Sequence, residues 1–130
     1  MQQVAEMSSI PVEAEHKPSK QFEKVEYNAL KYSGLSIPDE IASYDVPIAG
    51  GSWVHEIRCG FNNKEDIALL HGYGGTSMTF IRIFKDLATR FRVHALDFLG
   101  MGLSHRKEYD HSSNHLQTIA YYVEAIEQWR

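Results

Sequence analysis

Apolar and polar positions along this chain change their period several times, and each change marks an element. Residues 1–18 carry no period; they are polar, include Pro11 and Pro18, and are expected to form a disordered leader. From Ser19 the spacing turns helical. Phe22, Val25, Ala29 and Tyr32 fall at i, i+3, i+7 and i+10, one face of a helix, with Gly34 as its C-cap. Residues 19–43 therefore read as an N-terminal helix and turn, followed by a domain over 44–130. "YDVPIA" and "WVHEIRC" are β-rich runs around Gly50-Gly51-Ser52, which predicts a hairpin with Pro47 on an edge strand. "IALLH" is short and continuously apolar, the pattern of a strand buried on both faces. "SMTFIRIFKDLATRF" predicts a helix with Thr76 or Ser77 as N-cap and Ile81, Phe84, Ala88 and Phe91 on its inner side. "RVHALD" predicts a second buried strand. A loop of about 16 residues follows, a length that suggests function rather than mere connection. Asn114 and Gln117 then form a capping box for a helix with Leu116, Ile119, Ala120, Val123 and Ile126 on one face.

The order is helix, hairpin, strand, helix, strand, long loop, helix. Its second half is a βαβα pattern, which predicts an α/β fold with a parallel sheet. Ligands of such sheets bind outside the carboxyl ends of the strands. Two glycine-rich loops leave those ends, from His71 to Ser77 and from Asp97 to His105, and they should lie side by side.

Composition narrows the class. Of 130 residues, 43% are apolar and 23% charged, and the formal charge is −4 without a basic stripe, which argues against nucleic acid as a partner. The single Cys59 makes no internal disulfide and reads as a small hydrophobe at a strand end rather than a nucleophile. No apolar run approaches a membrane span, and the N-terminus lacks the basic and apolar regions of a secretory signal. The expectation is a cytoplasmic protein that meets membranes only through its surface.

The loops admit two chemistries. Gly72-x-Gly74 before a helix resembles the start of a dinucleotide fingerprint, with Asp97 placed for a ribose hydroxyl. Ser77 occupies the third glycine position, however, and His71 has no role in that scheme. Acyl transfer fits better. It develops negative charge on a carbonyl oxygen, which backbone N–H groups in a rigid turn stabilise. Glycines at 72, 74 and 75 let the backbone approach a substrate, and the N–H of Tyr73 is the expected donor. Gly72, Gly74, Gly75 and Met78 are the expected substrate contacts.

"LLHGYGG", a helix, and then "VHALDFLGMGLS" together resemble the α/β-hydrolase fold. That family sets a His-Gly-x-Gly oxyanion loop after its third strand and Asp-x-x-Gly-x-Gly-x-Ser after its fourth. Asp97, Gly100, Gly102 and Ser104 match the second motif. The resemblance covers roughly residues 45–130. "YYVEAIEQWR" narrows it to the branch that holds a lipid-droplet lipase coactivator, an N-acyl-phosphatidylethanolamine lipase and plant lysophospholipid acyltransferases. The resemblance implies a lipid or acyl-ester substrate, met peripherally at a membrane or lipid-droplet surface; no cofactor and no metal are expected. It implies that His71, Asp97, Gly100, Gly102 and Ser104 support the loops. The alternative within the branch is a non-catalytic regulator of a lipase.

In that family the nucleophile lies in Gly-x-Ser-x-Gly after a fifth strand, and no such string occurs in residues 1–130. The expected fold is thus the N-terminal part of an α/β-hydrolase, truncated before the nucleophile elbow. The chain is expected to be a fragment without triad residues, inactive alone, with the edge of "IALLH" bare and prone to stick. His105 and Asp110 match an acyltransferase His-x4-Asp string but are expected to be a solvated loop. His105, His111 and His115 suit no standard metal spacing.

Overall fold

The computed structural model describes residues 19–130; the expected leader lies outside the described residues. Helix α1 (Lys20–Leu30) leads through a short 3-10 turn to Gly34, whose φ of 77° is the left-handed C-cap conformation. Strands β1 (Ile41–Ile48) and β2 (Ser52–Cys59) form the hairpin around Gly50 and Gly51. Strand β3 (Glu65–Leu70), helix α2 (Phe84–Leu87), strand β4 (Phe91–Leu96) and helix α3 (His115–Trp129) follow. The sheet order is β1-β2-β4-β3. β1 pairs antiparallel with β2, β2 antiparallel with β4, and β3 parallel with β4 in the register Ile67↔Val93 to Leu70↔Leu96. Pro47 lies on edge strand β1, opposite Trp53. The antiparallel hairpin joined to a parallel pair is foreign to the dinucleotide fold.

Strand alternation divides the core into two faces. Ile57, Cys59, Val93 and Ala95 pack with Leu30, Ile41 and Phe84 on the α1 side. Val54, Leu96, Leu99 and Ala125 pack on the α3 side.

Four expectations need correction. The segment 77–91 is no continuous helix: a 3-10 turn at Ser77–Phe80 and the four-residue α2 replace it. Thr79, Ile81 and Ile83 put three β-branched side chains in five positions, which lowers helix propensity, while Phe84 still reaches the core with no exposure. The expected faces of both long helices point outward. Phe22, Val25 and Tyr32 are exposed, and the buried positions of α1 are Glu26 and Leu30. On α3, Leu116, Ile119 and Val123 are exposed while Ala125 is buried and Tyr121 and Trp129 pack beside it. Finally, "IALLH" is not covered on both faces: Ala68 and Leu70 are exposed, and among the described residues β3 is a sheet edge paired only with β4.

Candidate functional site

The parallel pairing of β3 and β4 sets their carboxyl ends side by side, so the loops that leave them share one end of the sheet. Side chains from each loop then bond to the backbone of the other. His71 is buried at the end of β3; its Nδ1 lies 2.8 Å from the Gly72 carbonyl oxygen, and its Nε2 accepts from the Phe98 N–H at 3.0 Å. Donation from Nδ1–H and acceptance at Nε2 define one neutral tautomer. The Phe98 ring stands edge-on to the imidazole with centroids 4.9 Å apart.

Asp97 answers from the other loop. Its Oδ1 accepts from the Ser77 N–H at 2.6 Å and its Oδ2 from the Leu103 N–H at 2.8 Å. The carboxyl is 1% exposed. Gly102 has φ 51°, and a Cβ there would overlap the Asp97 carboxylate, so only glycine fits against this brace. Ser104 Oγ donates to the Asp97 carbonyl at 2.6 Å and accepts from the His55 N–H at 2.8 Å, which stitches the loop to β2. Gly100 N–H donates to the His105 carbonyl at 3.0 Å. Trp53 ties the rest: its indole donates to the Leu103 carbonyl at 2.9 Å and its ring stacks on His105 at 4.5 Å.

Against this density of bonds, the tip of the first loop is open. Gly75 N–H closes a turn onto the Gly72 carbonyl at 3.0 Å, and Gly74 has φ 70°. Tyr73 at the tip is fully exposed, and its N–H has no acceptor among the described residues. Nothing stands within 4 Å of the Cβ positions of Gly72 and Gly74, so the backbone there is approachable from outside. Met78 is partly buried behind that tip and packs against the core. Thr76 caps the turn that follows, accepting from the Met78 N–H at 3.2 Å. The arrangement is a braced loop whose tip leaves backbone donors open, the Tyr73 N–H among them, able to hold a developing negative charge without rearrangement.

Three further groups of chemistry-bearing residues are engaged elsewhere or with one another. Cys59 is buried, with burial pushing its thiol up to about 11, so it stays protonated and unreactive. His105 and Asp110 are engaged separately: Asp110 accepts from the backbone and hydroxyl of Ser112, at 2.9 and 2.6 Å. Glu26, His55 and Asp97 bring ligand atoms within 4.8 Å of one another. Both His55 nitrogens already face carboxylates, however: Nε2 lies 2.9 Å from Glu26 and Nδ1 2.7 Å from Asp45. Burial opposes the charge on His55, but the Glu26 and Asp45 hydrogen bonds and the Asp97 charge outweigh it and raise the imidazole to about 9. The cluster holds a proton.

Sequence reasoning missed Glu26, His55 and Arg106, whose Nη2 donates to the Gly102 carbonyl at 3.0 Å. The first two carried a signal. Glu26 interrupts an otherwise apolar helical stripe, and His55 falls in the alternating register of Trp53, Ile57 and Cys59 that faces the core. Arg106 carried none.

The alpha/beta hydrolase fold model matches residues 67–128. Over 96 residues the chain is 33% identical to the 1-acylglycerol-3-phosphate O-acyltransferase ABHD5 of Homo sapiens, covering 72% of this chain and 27% of that protein. Over 73 residues it is 41% identical to the 1-acylglycerol-3-phosphate O-acyltransferase of Arabidopsis thaliana, covering 54% of this chain and 17% of the other. Among solved structures, the haloalkane dehalogenase DatA from Agrobacterium tumefaciens superposes with a TM-score of 0.55 at 31% identity, over 68% of this chain and 28% of that one. The chain thus spans about a quarter or less of the length of these curated relatives. With both glycine loops, the strand order and these similarities in agreement, the chain belongs to the α/β-hydrolase fold family.

Proposed function

We propose that this chain supplies the oxyanion-binding half of an enzyme that works on lipid acyl esters, by hydrolysis or by acyl transfer to a lysophospholipid. The observation that carries the reading is the free Tyr73 N–H at the tip of a loop braced by His71 and Asp97. A serine nucleophile from sequence outside residues 1–130 would attack the acyl carbonyl. The Tyr73 N–H would donate to the oxygen as it gains charge, beside a second N–H next to the nucleophile. His71 and Asp97 take no part in proton transfer. Their acceptor atoms are occupied by the Phe98, Ser77 and Leu103 N–H groups, so they are positioning residues. The acyltransferase names of the human and Arabidopsis relatives support the lipid substrate class. No helix of the described residues is long and apolar enough to cross a membrane. The exposed Tyr27 of α1 and Tyr32 of the turn after it support a peripheral contact with a membrane or lipid-droplet surface from the cytoplasm.

The test is product analysis by mass spectrometry after incubating the full-length gene product with a lysophospholipid, with and without an acyl donor. Free fatty acid or a diacyl product is expected. Neither product, from protein that is folded, contradicts the proposal.

A further inference from the structure

Helix α1 turns its apolar stripe into a cleft. Phe22, Val25 and Ala29 form one wall, and Met78 and Leu103, from the loops after β3 and β4, form the other. Phe22 and Val25 remain 59% and 58% exposed, so among the described residues this wall packs against nothing else. The cleft measures about 410 Å³, near the small end of the roughly 300–1,000 Å³ of ligand pockets, which suits one aliphatic chain. Thr76 at its rim belongs to the same loop as Tyr73.

The polar groups along the cleft are spent, with one exception. Glu26 is on His55, Asp97 is on the Ser77 and Leu103 N–H groups, and Thr76 Oγ1 is on the Met78 N–H. Arg106 is the exception. Its Nη2 donates to the Gly102 carbonyl at 3.0 Å, while its Nη1 is buried without a partner among the described residues. A buried cationic donor wants an acceptor, and the nearby carboxylates are already committed. A guanidinium beside apolar walls matches a ligand with an anionic head and an apolar chain.

We propose that the cleft binds a single-chain amphiphile, its chain between α1 and the loops and its phosphate or carboxylate on Arg106. In naming a lipid it rests on the lipid acyl-ester reading above. As a binding site it is tested without turnover. The full-length gene product is titrated calorimetrically, below the micelle concentration, with 1-acylglycerol-3-phosphate, the matching fatty acid, the matching monoacylglycerol and glycerol 3-phosphate. The phosphate amphiphile, the fatty acid or both should bind at least about tenfold more tightly than the neutral lipid. The tighter of the two identifies the head. Glycerol 3-phosphate should give no measurable binding. Arg106→Gln should bring the anionic lipid down to the affinity of the neutral one, and Arg106→Lys should keep part of the preference. Ala29→Trp should fill the cleft and weaken both lipids by about tenfold or more. Unchanged affinity in folded Arg106→Gln or in Ala29→Trp overturns the proposal; so does glycerol 3-phosphate binding as well as the amphiphile. Binding without acyl-ester turnover would remove the enzymatic reading and keep this site. Turnover without dependence of lipid binding on Arg106 would do the reverse.

Discussion

Helices α1 and α3 sit on opposite faces of one sheet and solve the same problem with opposite charges. Each leaves apolar side chains outward and fastens inward through a buried carboxylate. On α1 the carboxylate belongs to the helix: Glu26 reaches His55 on β2, which also bonds Asp45 on β1. On α3 it belongs to the sheet: Glu56 on β2, with no exposure, accepts from Trp129 Nε1 at 2.7 Å, from Arg58 at 2.5 Å and lies 2.8 Å from His94 Nδ1. The first clamp is a cation held among carboxylates, the second an anion held among donors. Burial opposes the charge in both, and the partners win in both. His55 rises to about 9, while Glu56 falls to about 2 because His94, Arg58 and Trp129 stabilise its charged form. A helix can thus be docked by one buried polar contact where its apolar stripe serves another surface.

The largest way to break this symmetry is Glu56→Ala. It strands three donors at once and should cost about 3–5 kcal/mol in urea unfolding. A loss under about 1 kcal/mol would show that the network is solvated. Next comes pH. The α1 clamp contributes in full below the unfolded histidine value of 6.5 and is lost as pH rises through about 9. That loss is on the order of 3 kcal/mol. The α3 clamp contributes above the unfolded glutamate value of 4.5 and is lost as pH falls toward about 2. Stability followed by circular dichroism should therefore fall at both ends, and Glu26→Gln should flatten only the alkaline limb. A variant that flattens the acid limb instead would invert the assignment. Trp129→Phe removes one charge-assisted bond but keeps the ring against His94, and should cost about 2 kcal/mol. Leu116→Gln, on the exposed face of α3, should change stability by less than about 0.5 kcal/mol while reducing self-association in sedimentation.

The same contrast explains what the sequence made legible. The hairpin, the parallel pair and the juxtaposed loops follow from local signals: Gly50-Gly51, the two apolar runs, the glycine spacing, and the Asn114–Gln117 capping box, which forms as read. These depend on neighbours within a few residues. The helix orientations depend on Glu26 meeting His55 and on Trp129 meeting Glu56, contacts 29 and 73 residues apart. Periodicity finds an apolar stripe but not what faces it, so Phe22 and Leu116 read as core when they are surface. At the site, His71 and Asp97 were visible as motif members. That their bonds cross from one loop to the other, and that the tip keeps the Tyr73 N–H open, depends on the packing of β3 on β4. Arg106 gave no sequence signal, because its distinction is an acceptor it lacks.

The most direct test of the central claim is kcat for acyl-ester cleavage by the full-length gene product, compared with its Tyr73→Pro variant, which loses the one N–H in question. The account predicts a fall of about 10²–10³ in kcat with KM little changed, since the bond strengthens only as charge develops on the oxygen. An unchanged kcat in the folded variant would mean that the loop from His71 to Thr76 does not stabilise the oxyanion, and would contradict the assignment.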